Sequence, residues 1–308
     1  MYERGDEEHK ANMSTTTTTS SSPPSSSSST IAQALWGARV PLHITHESAP
    51  ATPFVTAVPR FSYLALLLPR LSAFFGAPCS SFHFEDVQLR NLAAGLLVDL
   101  YQPALPWRLT VADGVGWDIG DTFLNCVKEC APPPLNVLND ICAQADFIRN
   151  GNANQIMKMS KEHTTQLWNA VIDNDFASFS KVNARLLNAP TALKHVPLRI
   201  YIPSAKPSSA VAPAAAAAGG RPDAGPVAET GSFKVVQSLV PAAGPDRKPR
   251  LLGQALKETM PRLFPSSRDP VLAGVLLHGA PVPFEAPLGE LMREAAYPDG
   301  WLCLVVVV

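Results

Sequence analysis

The chain has 308 residues, 46% of them hydrophobic and 17% charged, with a formal net charge of −1. That is enough apolar material for two or three compact domains, and so neutral a balance argues against a protein that holds nucleic acid by wholesale neutralisation of phosphates. The five cysteines, Cys79, Cys126, Cys130, Cys142 and Cys303, are odd in number, scattered and without a C-x-x-C pair; this is the pattern of free thiols in a reducing compartment. The start of the chain is charged and then Ser/Thr-rich, with no apolar h-region, and no run approaches the ~20 apolar residues that span a bilayer. The expectation is a cytoplasmic protein whose membrane contact is peripheral.

Residues 1–29 are low complexity, with Thr15–Thr19 and Ser25–Ser29 as homopolymer runs, and they read as a disordered tail because they cannot bury enough apolar surface. From residue 30 to 118 the pattern becomes that of a folded unit. Ile31 to Trp36 predicts a short helix capped by Thr30. Arg39 to Thr45 alternates as a strand, with Pro53 to Phe61 as its hairpin partner. Leucine-rich Tyr63 to Phe75 predicts a buried helix that Pro69 breaks or restarts. Ser81 to Glu85 reads as a strand, Leu92 to Tyr101 as a short helix and Trp107 to Val111 as a closing strand.

Residues 119–190 carry no strand signal and form a connector and a helix-rich domain. Asp121 is placed to cap a helix over Thr122–Ala131, stopped by Pro132-Pro133-Pro134. Leu167 and Trp168 anchor a further helix. Asp173 is read as the cap of the next, in which Phe176, Phe179, Val182 and Leu186 share a face.

Residues 195–308 repeat the order of the first unit. His195 to Pro203 and Phe233 to Val240 are strands flanking an Ala/Pro-rich insertion at about 204–230, read as a solvated loop. Leu251 to Phe264 predicts a helix with Leu252, Leu256, Met260 and Leu263 on one side. Val271 to His278 follows as a strand and Leu288 to Ala296 as a short helix. Trp301 to Val308 is apolar throughout, as a central strand buried on both faces would be. Strand, strand, helix, strand, short helix, strand is the β-grasp order of ubiquitin. The expected fold class is therefore α+β, two ubiquitin-like domains flanking a helix-rich one.

Chemistry-bearing motifs are sparse. There is no P-loop, G-x-S-x-G, H-E-x-x-H or G-x-G-x-x-G, and neither a metal nor a cofactor is expected. His43 and His46 fall on opposite faces of a strand, and His278 reads as a turn histidine before Gly279. Trp107, Trp117, Trp168 and Trp301 read as core; Trp36, outside the β-grasp order, reads first as packed against the first domain and, as the alternative, as half of a groove for a partner helix. The ten lysines include none between Lys10 and Lys128. On the Thr122–Ala131 helix, Phe123, Cys126, Val127 and Cys130 form one stripe, and Lys128 points away from it toward water.

Nine short stretches, in this order, resemble the autophagy protein 5 family over roughly residues 31–308. They are Trp36-Gly37-Ala38-Arg39-Val40-Pro41, Pro59-Arg60-Phe61-Ser62-Tyr63-Leu64, Gly95-Leu96-Leu97-Val98-Asp99-Leu100, Leu105-Pro106-Trp107 and Asn125-Cys126-Val127-Lys128-Glu129. Gln166-Leu167-Trp168, Pro197-Leu198-Arg199-Ile200-Tyr201, Leu277-His278-Gly279 and Tyr297-Pro298-Asp299 complete them. The resemblance implies that Lys128 is the acceptor of an isopeptide bond from the C-terminal glycine of the ubiquitin-like autophagy protein 12, delivered by E1-like and E2-like enzymes. It further implies that the conjugate binds the coiled-coil autophagy protein 16, with Ile31, Leu35, Trp36 and Arg39 on the partner-helix surface. The conjugate would act as an E3-like factor in the lipidation of autophagy protein 8 at the phagophore assembly site, the chain itself being non-catalytic. The rival readings are a FERM-like membrane adaptor, which would carry a pleckstrin-type domain after residue 195, and an enzyme using Cys126 or Cys130.

Overall fold

A computed structural model describes residues 1, 30–113, 145–187, 193–203, 229–230, 233–244 and 246–308. Helix α1 (Ile31–Gly37) opens the folded part, and the Thr30 hydroxyl accepts the Gln33 N–H at 3.2 Å, the expected cap. In β1 (Arg39–His46), Val40, Leu42, Ile44 and His46 are buried and the residues between them are not, the period of a strand with one face on a core. It pairs antiparallel with β2 (Ala49–Pro59) and parallel with β5 (Trp107–Ala112). β3 (Ser81–Phe84) lies antiparallel between β5 and the two-residue β4 (Val87–Gln88). A 3-10 turn, Leu64–Leu67, leads into α2 (Leu68–Phe75). Pro69 sits in its first turn, where a missing N–H breaks no helical bond, so the proline restarts the helix. With α3 (Ala94–Tyr101) these elements enclose a core that includes Leu42, Phe82, Leu97 and Trp107.

The second sheet joins β6 (His195–Pro203), β8 (Phe233–Pro241), β9 (Gly274–Leu277), β10 (Ala280–Pro281) and β11 (Leu302–Val307), in the order β10-β9-β11-β6-β8. β11 is parallel to β6 and antiparallel to β9, so it is central. Its continuous apolarity has a simple cause: Leu302, Leu304 and Val306 face the core under α7 (Leu252–Thr259) and α8 (Leu288–Ala295), while Cys303 and Val305 face the helical domain. Each sheet thus places its first strand parallel to its last, the β-grasp arrangement. Between them lie helical residues 145–150, α4 (Asn154–Met157), α5 (Lys161–Asp173) and α6 (Phe176–Leu187).

Several sequence expectations are corrected. The helix expected over Leu251–Phe264 ends at Thr259, because Pro261 disfavours helical geometry at the residue before it and Met260 adopts φ −139°. Asp173 does not cap the following helix but ends α5; Asn174 turns left-handed at φ 56° and the Asp175 carboxylate accepts the Ser178 N–H at 3.1 Å. Val271 and Leu272 are exposed and precede β9 rather than belonging to it. The insertion is not a loop throughout, since β7 (Glu229–Thr230) pairs with β4 and extends the first sheet. β4, β7 and β10, two residues each, are too short to show a period of two.

Candidate partner-binding site at the three-domain junction

A helix of seven residues has no independent stability in water; α1 exists because of what holds it. The Trp36 ring packs against Phe61 of the first sheet domain at 5.4 Å and against Phe176 and Phe179 of α6 at 5.9 and 4.7 Å between centroids. Asn174 Nδ2 donates to the Trp36 carbonyl at 3.2 Å, and the Ala32 N–H donates to Glu294 Oε2 on α8 at 3.5 Å. One short helix is therefore fastened to all three domains.

The four residues expected on the partner surface part company here. Trp36 is only 5% exposed, which favours the core reading of this residue over the open groove wall; its ring packs against the first sheet domain and the helical domain. Leu35 is half-buried between the helical core and the second ubiquitin-like core. Ile31, 62% exposed, and Arg39, whose Nη1 donates to the Ala57 carbonyl at 3.1 Å, remain at the surface. Lys128, Cys126 and Cys130 lie outside the described residues, as does Trp117.

A buried polar cluster joins the two sheet domains beneath α1. Arg60 Nη2 donates to Asp99 Oδ1 at 2.6 Å and to the Gly95 carbonyl at 3.0 Å. A Cβ on Gly95 would stand 2.9 Å from Arg60 Nε, so the guanidinium lies across α3 only because residue 95 is glycine. Asp99 also accepts backbone N–H groups from His278 and Gly279, which form the left-handed β9–β10 turn at φ 53° and 83°. Burial pushes the Asp99 carboxyl up, opposed by Arg60 and those two N–H groups. His278 Nε2 donates to the Ala295 carbonyl at 2.8 Å, which fixes its tautomer and leaves Nδ1 buried without a partner. Its ring stacks on Tyr297 at 4.7 Å and meets the edge of Phe61 at 5.2 Å. A second junction lies nearby, where Arg199 spreads over Trp301 at 3.9 Å and pairs with Asp299 at 3.7 Å. Gly300 leaves room there for Arg149 of the helical domain, whose Nη2 a Cβ would approach to 2.9 Å.

Burial lowers the His278 pKa to about 4, with the Arg60 charge acting in the same direction against the Ala295 carbonyl. A basic group whose pKa is depressed by folding binds protons more readily in the unfolded chain. Its contribution is therefore complete above the ordinary value of 6.5 and is lost as pH falls toward 4. Between pH 7.5 and 5 the loss amounts to about 2 kcal/mol. Urea unfolding at both pH values should show this loss in the wild type and not in His278→Gln; equal losses would remove His278 as the cause.

None of this is a catalytic constellation. Among the described residues no three His, Cys, Asp or Glu side chains converge as metal ligands, and no helix is long and apolar enough to cross a membrane. A groove of about 530 Å³ between α5 and α6 is lined by polar side chains including Glu162, Gln166, Asn169 and Asp173.

Three family models match the chain in series: "Autophagy protein ATG5, UblA domain" over residues 35–112, "alpha-helical bundle region" over 144–189 and "UblB domain" over 195–306. The autophagy-related protein 5 of Gibberella zeae is 68% identical over 279 residues, covering 90% of this chain and 98% of its own length. That of Beauveria bassiana is 66% identical over 286 residues, with 90% and 98% covered.

The chain belongs to the autophagy protein 5 family.

A solved structure, that of Kluyveromyces marxianus Atg5, shares the fold with a TM-score of 0.63 at 18% identity, over 90% of this chain and 99% of that one. The two sheet domains are thus ubiquitin-like domains A and B, flanking the helical bundle region. Most of the short stretches that carry the family likeness in sequence meet at the junction just described. Trp36, Arg60 and Phe61, Asp99, Arg199 and Tyr201, His278 and Gly279, and Tyr297 and Asp299 all lie in or beside the two polar clusters. Sequence reasoning found these motifs but not their use, and it took His278 only for a turn residue.

Proposed function

We propose that this chain is the acceptor and scaffold of a ubiquitin-like conjugate in autophagosome formation. Lys128 is the attachment point for autophagy protein 12; the conjugate engages autophagy protein 16 through α1 and both ubiquitin-like domains, and stimulates transfer of autophagy protein 8 to phosphatidylethanolamine. The observation that carries the reading is α1, a helix with no stability of its own, pinned where all three domains meet and presenting Ile31 to solvent. Family membership supports the conjugation step, and Lys128 falls between the UblA and helical-bundle matches.

The chemistry asks little of the acceptor. A lysine with the ordinary pKa of ~10.4 is protonated at neutral pH. The conjugating enzyme must align the amine and remove its proton before it attacks the thioester carbonyl. The amide C–N bond forms as the C–S bond breaks, and the enzyme's thiolate leaves. The Lys128 amine is itself the nucleophile, and no further base or nucleophile on this chain is needed. Intact-mass analysis of protein purified from its own cells should show a species heavier by one ubiquitin-like protein, abolished in Lys128→Arg. Persistence of that species in the mutant would move the attachment elsewhere.

The FERM-like alternative loses its support, since the region after residue 195 is a second β-grasp sheet and not a pleckstrin-type domain. Membrane contact of the conjugate is assigned as peripheral, at the phagophore assembly site.

A further inference from the structure

Hydrogen bonds close a ring through both ubiquitin-like domains and α1. The Ala38 carbonyl, just past α1, accepts the Arg60 N–H at 3.0 Å. Arg60 pairs with Asp99 at 2.6 Å, and Asp99 accepts the N–H groups of His278 and Gly279. His278 donates to Ala295, the last residue of α8, at 2.8 Å. The neighbouring Glu294 accepts the Ala32 N–H at the start of α1, at 3.5 Å the longest link. The ring is packed where it is buried: Arg60 and Asp99 are largely shielded from solvent, and Phe61 meets His278 and Tyr297 edge-on while those two rings lie tilted against each other. Gly279 has a left-handed φ of 83°, and a Cβ there would lie 3.6 Å from both Arg60 Nη1 and Asp99 Oδ1.

We infer that Asp99 is a positioning residue for the partner surface. By gripping the His278–Gly279 turn it sets the orientation of the second ubiquitin-like domain against the first, and so the placement of α8 beside α1. Asp99 itself is 2% exposed and touches no partner. It acts because α1 is too short to hold a position by itself and takes its place from the domains the ring ties together. A partner helix lying on α1 and both ubiquitin-like domains reads that spacing, so opening the ring weakens binding without altering any surface residue. The inference rests on the proposed binding of autophagy protein 16, whereas the ring itself does not.

The test uses the full chain, with spin labels at two exposed positions, Val55 on the first domain and Val271 on the second, and purified autophagy protein 16 as the probe. Asp99→Asn keeps the size and an acceptor oxygen but removes the charge that holds Arg60. It is expected to broaden the distance distribution at temperatures well below unfolding and to weaken binding at least tenfold. Glu294→Ala breaks the ring at its far side. The double variant should bind about as weakly as the worse single one, whereas two independent structural defects would add. An unchanged distance distribution, or a broadened one with affinity within twofold of wild type, overturns the inference; so does additivity in the double variant. If Asp99→Asn does not fold, Gly279→Ala, which strains the turn at its left-handed φ of 83°, disturbs the same grip from the second domain and is read by the same criteria. If wild-type protein fails to bind autophagy protein 16, the partner assignment falls, and the distance measurement still decides whether Asp99 sets the domain geometry.

Discussion

Asp99→Ala should be among the most destabilising single substitutions in the chain. It leaves the Arg60 guanidinium buried beside Gly95 with no counter-ion and strands the N–H groups of His278 and Gly279 that Asp99 accepts. Removing one partner of a buried pair costs about 3–5 kcal/mol, because the remaining charge stays desolvated. At roughly 2–4 °C per kcal/mol for a chain of this order of size, the melting temperature should fall by about 10 °C. Asp246→Ala is the internal control. Its ion pair with Lys248 spans 3.3 Å but both side chains face water, and such pairs contribute about 0–1 kcal/mol. Calorimetry of the two variants side by side checks the contrast. A loss below about 1 kcal/mol in Asp99→Ala would mean that the junction does not depend on the carboxylate.

Trp36→Ala should be comparably severe and should act first on α1. Emptying a site lined by Phe61, Phe176 and Phe179 removes a large buried ring, at a cost of about 3–5 kcal/mol. What remains to hold the helix is the Thr30 cap, the half-buried Leu35, the Asn174 bond to the Trp36 carbonyl, the Arg60 bond to the Ala38 carbonyl and the long Ala32–Glu294 bond. These do not offset the entropy of ordering seven residues. Amide exchange over residues 31–38 should approach that of an unfolded segment, and binding to autophagy protein 16 should be lost with it. Trp36→Phe, which keeps an aromatic ring in the site, should retain most of the protection. Unchanged exchange in Trp36→Ala would show that α1 is held by its polar contacts alone.

The two predictions share a cause. Trp36 and Asp99 sit on the two sides of Phe61 and Arg60, consecutive residues of one loop, so the apolar anchor of α1 and the polar grip on the second domain are parts of one junction. Trp36 is accordingly buried, as its core reading expected. It holds α1 in place from inside, while Ile31 and Arg39 stay at the surface.

The sequence by itself determined the elements and their order. Alternation marked β1 and β6, Thr30 marked the start of α1, and unbroken apolarity marked β11 as central. These signals are legible because a residue's periodicity depends on which face of its own element is buried, a local property. The family motifs were legible too, because order along the chain suffices to recognise them. Only the tertiary structure decided what most of those motifs are for. Periodicity reports that a face is buried but not against what, and Asp99 meets a turn about 180 residues away whose contact leaves no trace in either local pattern. Asp173 read as the cap of the following helix, but the left-handed turn at Asn174 gives that place to Asp175. The β-grasp domains were written in short-range patterning; the junction that makes them one molecule is a long-range packing of polar groups, which no local pattern encodes.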